Sequence, residues 1–345
     1  MNVLVTGGAG YIGSVIAARL LARGHRVVVL DDLSRGHRAA VPSGAALIVA
    51  DIRDTASVEA VLRAHACTTV VHMAALAEVG ESMVKPDLYH EVNAGGTRAV
   101  AEAARAAGVE RLVYSSTAAV YGEPRDVPVT EDAPLRPSNS YGESKLAGER
   151  ALEEAAVRSG GRLSVASLRY FNACGADGER GEDHDPETHL IPLALRAARD
   201  GGELAVFGDD YPTPDGTCVR DYVHVVDLAE AHLAALERLP DAAGAYNLGT
   251  GEGASVQQVL AAVAAVTGLP LRRRVAPRRP GDPPTLVAGN GRAWTALGWR
   301  PRRSLRDAVA DAWAWMGEHP RGYEDVPDRG GAPRDGPARG GGSRA

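Results

Sequence analysis

The strongest constraint on the fold sits at the start of the chain. The short apolar run Asn2–Thr6 meets Gly7-Gly8-Ala9-Gly10-Tyr11-Ile12-Gly13, after which Ile12, Val15, Ile16 and Leu20 recur at helical spacing. A strand that turns sharply on glycines into a helix has one common continuation, a crossover to a second parallel strand. That unit commits the chain to a sheet covered by helices.

The alternation continues through the first half. Val3–Val5, Arg26–Leu30, Leu47–Val49, Val70–His72, Leu112–Ser115 and Val165–Leu168 read as buried strands, and Val58, Val61 and Leu62 mark an intervening helix. The pattern predicts an α/β fold, a Rossmann-like doubly wound parallel sheet over residues 1–172. Past Asn172 the regularity breaks at a Gly- and acid-rich stretch, 173–188. Helical patterns over 190–200, 227–238, 255–267 and 305–316 then mix with short strands and Pro-rich connectors. This predicts a smaller mixed α/β substrate domain over 173–325, some of whose segments pack back on the first. Residues 326–345, with six Gly, three Pro and almost nothing apolar, read as a disordered tail.

The glycine loop has a chemical reading. Gly7, Gly10 and Gly13 permit a tight turn and close backbone approach to a pyrophosphate, and the helix N-terminus offers free N–H groups and a positive dipole end. Asp31, 18 residues after Gly13, ends the second strand. A carboxylate there accepts ribose hydroxyls and repels a 2′-phosphate, which favours NAD over NADP.

A second constellation opens a predicted helix at Ser140-Tyr141-Gly142-Glu143-Ser144-Lys145. Tyr141 and Lys145 are four apart and share one helical face. A phenol with a pKa near 10 is a poor base at neutral pH, and an ammonium beside it favours the phenolate. About 25 residues upstream, Thr117 ends a predicted strand, where ligands bind in doubly wound sheets and a hydroxyl can relay a proton.

With these residues in place, the chain resembles the extended short-chain dehydrogenase/reductases, and among them the UDP-glucose 4-epimerase family, from Met1 to about Tyr323. The resemblance rests on VTGGAGYIGS at 5–14, VGES at 79–82, SSTAAVYGEP at 115–124, SYGESKL at 140–146, LRYFNACGA at 168–176, HLIPLAL at 189–195, FGDDYPTPDGTCVRDYVHVVDLA at 207–229, YNLGTG at 246–251 and RRPGDPP at 278–284. The 207–229 stretch is the most diagnostic, since the wider superfamily does not share it.

The resemblance implies bound NAD, a UDP-sugar substrate, inversion at carbon 4 through a 4-keto sugar, and a homodimer. Position by position it implies Tyr141 as base, Lys145 as its partner and Thr117 as the relay, with Tyr141 and Lys145 also among the cofactor contacts and Thr117 among the substrate contacts. Tyr11, Ile12, Asp31, Asp32, Asp51, Ile52, Met73, Ala74, Ala75, Asn93 and Phe171 match cofactor contacts. Asn172, His189, Leu190, Phe207, Arg220, Arg279 and Asp282 match groups that hold the UDP-sugar. Two arginines on a diphosphate make physical sense as charge-assisted clamps.

Three positions depart from the family pattern. Ala77 stands where many members carry a lysine near the cofactor diphosphate, so the cofactor is expected to be held less tightly. Leu286 aligns with a residue lining the sugar pocket, tyrosine in some members, and a smaller side chain there would admit a 2-acetamido group. His189 falls where many relatives have asparagine, and both donate hydrogen bonds. Ala118 and Ala119 follow Thr117 where the dehydratases of the superfamily place Asp-Glu, which disfavours dehydration. The alternatives to UDP-glucose are therefore UDP-N-acetylglucosamine or a UDP-pentose or uronate. A non-catalytic NAD-binding regulator is a further alternative, against which the Tyr141/Lys145 pair and both clamps stand.

The remaining features read as bland. Lys and Arg number 38 against 44 Asp and Glu, a net charge of −6 that argues against a nucleic-acid partner. The first strand follows Met1 directly, and no run approaches the roughly 18 apolar residues of a membrane helix, so no leader and no membrane association are expected. Cys67, Cys174 and Cys218 are scattered, fitting a reducing cytoplasm. Cys174 reads as a buried small side chain. The four tryptophans, Trp294, Trp299, Trp313 and Trp315, read as packing residues, and the arginines at 272–274 as a solvated strand edge. Glu182, His184, Glu187 and His189 are read as a solvated acidic loop, with no metal expected.

Overall fold

The structure, a computed structural model, describes residues 1–279 and 281–324. The expected tail, 326–345, lies outside the described residues. Six strands form where the apolar runs predict them: β1 (Asn2–Thr6), β2 (Arg26–Asp31), β3 (Ala46–Val49), β4 (Thr69–His72), β5 (Arg111–Thr117) and β6 (Ser164–Tyr170). Short strands β7 (Asn172–Cys174), β8 (Glu203–Phe207) and β9 (Val219–His224) follow. Beyond them come β10 (Gly244–Leu248), β11 (Gly253–Ser255), β12 (Arg272–Ala276) and β13 (Thr285–Leu286).

The main sheet is parallel, in the order β3-β2-β1-β4-β5-β6-β10. Val3 lies opposite Val27 on one side and Thr69 on the other, so β1 is central. Sequence order reverses between β1 and β4, which makes the carboxyl end of that gap the place where a ligand binds in such sheets. Strand β10 was not among the predicted strands. It joins the edge beside β6, with Tyr246 opposite Leu168, so the chain returns to the first sheet after leaving it.

Helices cover both faces, as near-continuous apolar strands require. On one face α1 (Tyr11–Ala22) packs with α8 (Val225–Arg238) over Val3, Val5, Val29 and Val113. On the other, α2 (Thr55–Ala64), α5 (Gly96–Ala107) and α6 (Ser140–Arg158) bury Leu4, Leu30, Val70 and Leu112. Between α2 and α5 lie two short helices, α3 (Val79–Val84) and α4 (Pro86–Tyr89).

At Phe171 the chain steps out of the main sheet. Strand β9 pairs in parallel with β7 and β13 and antiparallel with β11, while β8 and β12 form a separate pair. A second core gathers α7 (Leu190–Asp200), α9 (Val256–Thr267) and α10 (Leu305–Glu318) around Leu195, Val259, Val263 and Val309. Helices α9 and α10 each start on a capping box, Ser255 with Gln258 and Ser304 with Asp307. Arg272, Arg273 and Arg274 lie exposed on β12.

Trp299 and Trp315 are buried and Trp313 half-buried. Trp294 departs from its expected role: it is 52% exposed, with the Arg300 guanidinium over its ring. The single turn that carries it, Ala293–Leu297, buries Ala293 and Leu297 instead, so its indole faces out. Cys67 and Cys174 are buried free thiols, and Cys218 is half-buried. Among the described residues no helix is long and apolar enough to cross a membrane.

Candidate active site

At the end of β1, Gly7 adopts φ +67°, and a side chain there would strike the backbone of Ala74 at 2.5 Å. Gly13 sits against Gly7, where a Cβ would come within 2.2 Å of its carbonyl oxygen. The glycines thus let α1 begin close under the sheet. Gly10 caps α1 without a side-chain bond, and the first turn of the helix carries no acid. Its N–H groups and dipole are open to an anion.

Asp31 and Asp32 flank this turn. Asp31 accepts from Ala9 N at 3.0 Å and Leu33 N at 2.9 Å, so its carboxylate braces the glycine loop. Burial raises its pKa while those two N–H bonds oppose the rise. Asp32 accepts from Ser34. Asp51 is held by Arg53, whose hydrogen bond lowers its pKa, and Ile52 is buried beneath. Met73, Ala74 and Ala75 are half-buried at the end of β4, beside the switch point.

Asn93 is fully buried and its amide is engaged inside the protein. It bonds Leu76 N and O at 2.8 and 3.0 Å and Ser144 Oγ at 3.0 Å. It therefore ties the segment after β4 to α6. Tyr11 donates to Gly175 O at 2.6 Å, joining the glycine loop to the loop after β7.

Thr117 ends β5, and its Oγ1 accepts from Ala119 N at 3.1 Å. Asn139 caps α6, which brings the Tyr141 phenol beside Thr117 and places Lys145 one turn further on. Burial pushes Tyr141 up to about 12, and the Thr117 side chain beside it opposes that rise. The Lys145 ammonium instead stands over the Tyr114 ring at 4.7 Å. Burial pulls Lys145 down to about 7, with Glu149 working the other way.

Glu149 belongs to a network that sequence reasoning did not identify. Arg169 of β6 forks onto both its oxygens at 2.9 and 2.7 Å and donates to Tyr121 Oη at 2.9 Å. Tyr121 in turn donates to Asn247 of β10 at 2.7 Å. The signal available was the Lys145/Glu149 spacing on α6, one turn apart.

The second half of the chain supplies another set of groups. Phe171 is buried with Ala118, Val120, Tyr121 and Leu146, and half-buried Leu286 packs on the same cluster, joining β13 to the Thr117 end of β5. Asn172 is exposed at the start of β7. Arg220 is held by its own strand and by Pro283, Nη1 donating to Val219 O and Pro283 O, both at 2.8 Å. Its Nη2 is buried and lies 3.1 Å from Asp282 Oδ1 without hydrogen-bond alignment. The Arg279 guanidinium lies over the Phe207 ring at 4.1 Å.

Behind this set, Asp221 of β9 is a structural clasp. Its oxygens accept from Thr250 N and Oγ1, Gly251 N and Ala288 N at 2.7 to 3.1 Å.

His189 and Leu190 open α7, both half-buried. The preceding loop is not solvated as expected. Glu182 and Glu187 side chains are only 7% and 1% exposed, because Tyr11, Arg35, His37 and Tyr323 close over the loop. Glu182 and Glu187 face His189 Nδ1 at 2.8 and 2.9 Å. Burial opposes charge there, yet the two carboxylates push His189 up to about 11.

Comparison with known proteins agrees with this geometry. Residues 3–249 match the NAD dependent epimerase/dehydratase family. The chain is 52% identical over 325 residues to a UDP-glucose 4-epimerase of Streptomyces lividans, covering 93% of this chain and 98% of that one. It is similar to the crystal structure of a UDP-glucose 4-epimerase from Brucella ovis in complex with NAD, at 44% identity and a TM-score of 0.88, covering 92% and 98% of the two chains. The UDP-glucose 4-epimerase of Bifidobacterium longum, in complex with NAD+ and UDP, superposes with a TM-score of 0.88 at 36% identity, covering 94% and 100%.

Proposed function

Because the chain belongs to the NAD dependent epimerase/dehydratase family, we propose that it interconverts UDP-glucose and UDP-galactose by inverting carbon 4 of the bound sugar. The observation that carries this reading is the placing of the Tyr141 phenol beside Thr117 at the carboxyl end of β5, with Lys145 one turn away on α6. A proton acceptor fixed there faces the place where a doubly wound sheet receives its ligand.

The cofactor fits residues 1–172: an uncapped helix start free of acids for the diphosphate, and Asp31 for the ribose. NAD⁺ held there would supply hydride acceptance and return. Tyr141 takes the 4-hydroxyl proton, with the Thr117 hydroxyl beside it as the relay. Lys145 carries charge near the phenolate, and Glu149 favours that charge despite burial. The proton then returns from Tyr141 to the same oxygen once the keto sugar has presented its other face.

Residues of 173–324 hold the nucleotide while the hexose turns. The buried Arg220 Nη2, with no aligned partner, and Arg279 beside Phe207 suit a diphosphate. Asn172, His189, Leu190 and Asp282 complete that side.

Leu286, packed beside Phe171, leaves more space than a tyrosine, which favours a second substrate bearing a 2-acetamido group. The apolar Met83 and Val84 of α3 and Val157 of α6 are exposed, in keeping with a homodimer. Free thiols fit a reducing cytoplasm.

The test is to incubate the purified protein with UDP-glucose, UDP-N-acetylglucosamine and a UDP-pentose and follow carbon-4 inversion by NMR. Conversion of UDP-glucose is expected. Inversion of none of the three, with NAD present, would sink the reading.

A further inference from the structure

The loop before α7 brings Glu182, His184, Glu187 and His189 together within eight residues, and one ligand-type atom from each lies within 4.8 Å of the others. Glu182 Oε1 is 2.8 Å from His189 Nδ1 and 3.3 Å from His184 Nδ1, and Glu187 Oε1 is 2.9 Å from the same His189 nitrogen. Ligand atoms around a tetrahedral zinc stand about 3.3 Å apart, since each bond is close to 2 Å.

Hydrogen bonds alone leave this pocket incompletely satisfied. A ring nitrogen carries at most one N–H, which points in one direction, yet two carboxylate oxygens converge on His189 Nδ1. Glu187 Oε2, on a side chain 1% exposed, has no hydrogen-bond partner, and neither does buried His184 Nδ1, although it faces Glu182. Buried polar atoms left unpaired in a native fold call for a partner.

We propose that Glu182, His184, Glu187 and His189 bind one divalent transition-metal ion of the zinc class, which fixes the loop before α7 and the orientation of the His189 ring. Two imidazoles and two carboxylates suit zinc or cobalt and disfavour calcium and magnesium, which prefer all-oxygen shells. Two carboxylates balance the charge of one dication. Protons on the two imidazoles carry the same charge, so a metal that displaces them leaves the pocket neutral. With Nδ1 on the metal, His189 Nε2 remains for the nucleotide. The ion would be structural, because four protein ligands leave no open position. The site stands on the geometry of these four residues and not on the substrate assigned above.

The full-length protein is stripped with chelator, supplied with zinc or cobalt alone, gel-filtered and analysed for metal. About one equivalent per chain is expected, with cobalt showing the visible bands of a tetrahedral site and the melting temperature raised. The E182Q and H184Q variants, checked for retained NAD and cooperative melting, are expected to hold less than about a tenth of the parent's metal. H184Q serves if E182Q fails to fold, because His184 is the more exposed of the two. Parent protein that carries no zinc or cobalt after filtration overturns the proposal. Full metal content in H184Q overturns it equally, since the ion then lies elsewhere.

Discussion

The two halves of this molecule are held together by different means. In the seven-stranded sheet, strands of four to seven residues lie side by side with apolar side chains on both faces. Around β9 the strands are two to six residues long, and buried carboxylates do much of the joining. Asp221 gathers three segments, Asp227 receives Arg302 N and Arg303, and Glu182 and Glu187 gather two histidines. Apolar burial is undirected and tolerant, whereas a buried carboxylate must meet every partner in place. The first half can therefore be a shared scaffold, and the second can carry what is particular to this substrate.

The sharpest break between the halves should appear in kinetics. Tyr141→Phe is expected to lower turnover by about 10²–10⁴-fold with NAD content unchanged, because it removes the proton acceptor and little packing. Stopped-flow or coupled assays read this, and a variant turning over at the parent rate would remove Tyr141 from the chemistry. Arg220→Ala acts on the other half. Losing a charged hydrogen-bond donor to the diphosphate should raise KM roughly ten- to a hundredfold, with the smaller change in kcat. A change confined to kcat would mean that the two halves do not divide the work as described.

The smallest effect is one of pH. His72, buried between Thr6 Oγ1 and Thr97 Oγ1, is held neutral by burial, its pKa lowered to about 3, with the Lys145 charge acting the same way. The unfolded chain takes up this proton first, near pH 6.5, so the sheet loses stability as pH falls below that value. The slope from this group is about 1.4 kcal/mol per pH unit. Chemical denaturation between pH 7 and 5 measures it, and His72→Gln should flatten the slope.

Legibility followed the same division. Strands β1 to β6 and the glycine turn could be read because a buried parallel strand is a local apolar run. Strand β10 could not. Its five residues, Gly244–Leu248, count as a strand only once β6 lies beside them, far away in sequence. The 182–189 loop looked solvated because composition reports acids and glycines, while its burial is decided by Tyr11, Arg35 and Tyr323. Tyr141 and Lys145 were placed by their spacing. Their proton affinities were not, because desolvation outweighs a neighbour's charge once both are enclosed. Glu149 and Arg169 were individually ordinary charges, paired only by the meeting of α6 with β6.

The Asp221 clasp has a consequence for how the chain assembles. One of its oxygens waits for the backbone of Ala288, so a growing polypeptide can lay down all seven strands of the first sheet well before that bond is possible. The side built around β9 is therefore completed only after the first sheet has been laid down, around an acid whose last-made partner follows every strand of that sheet.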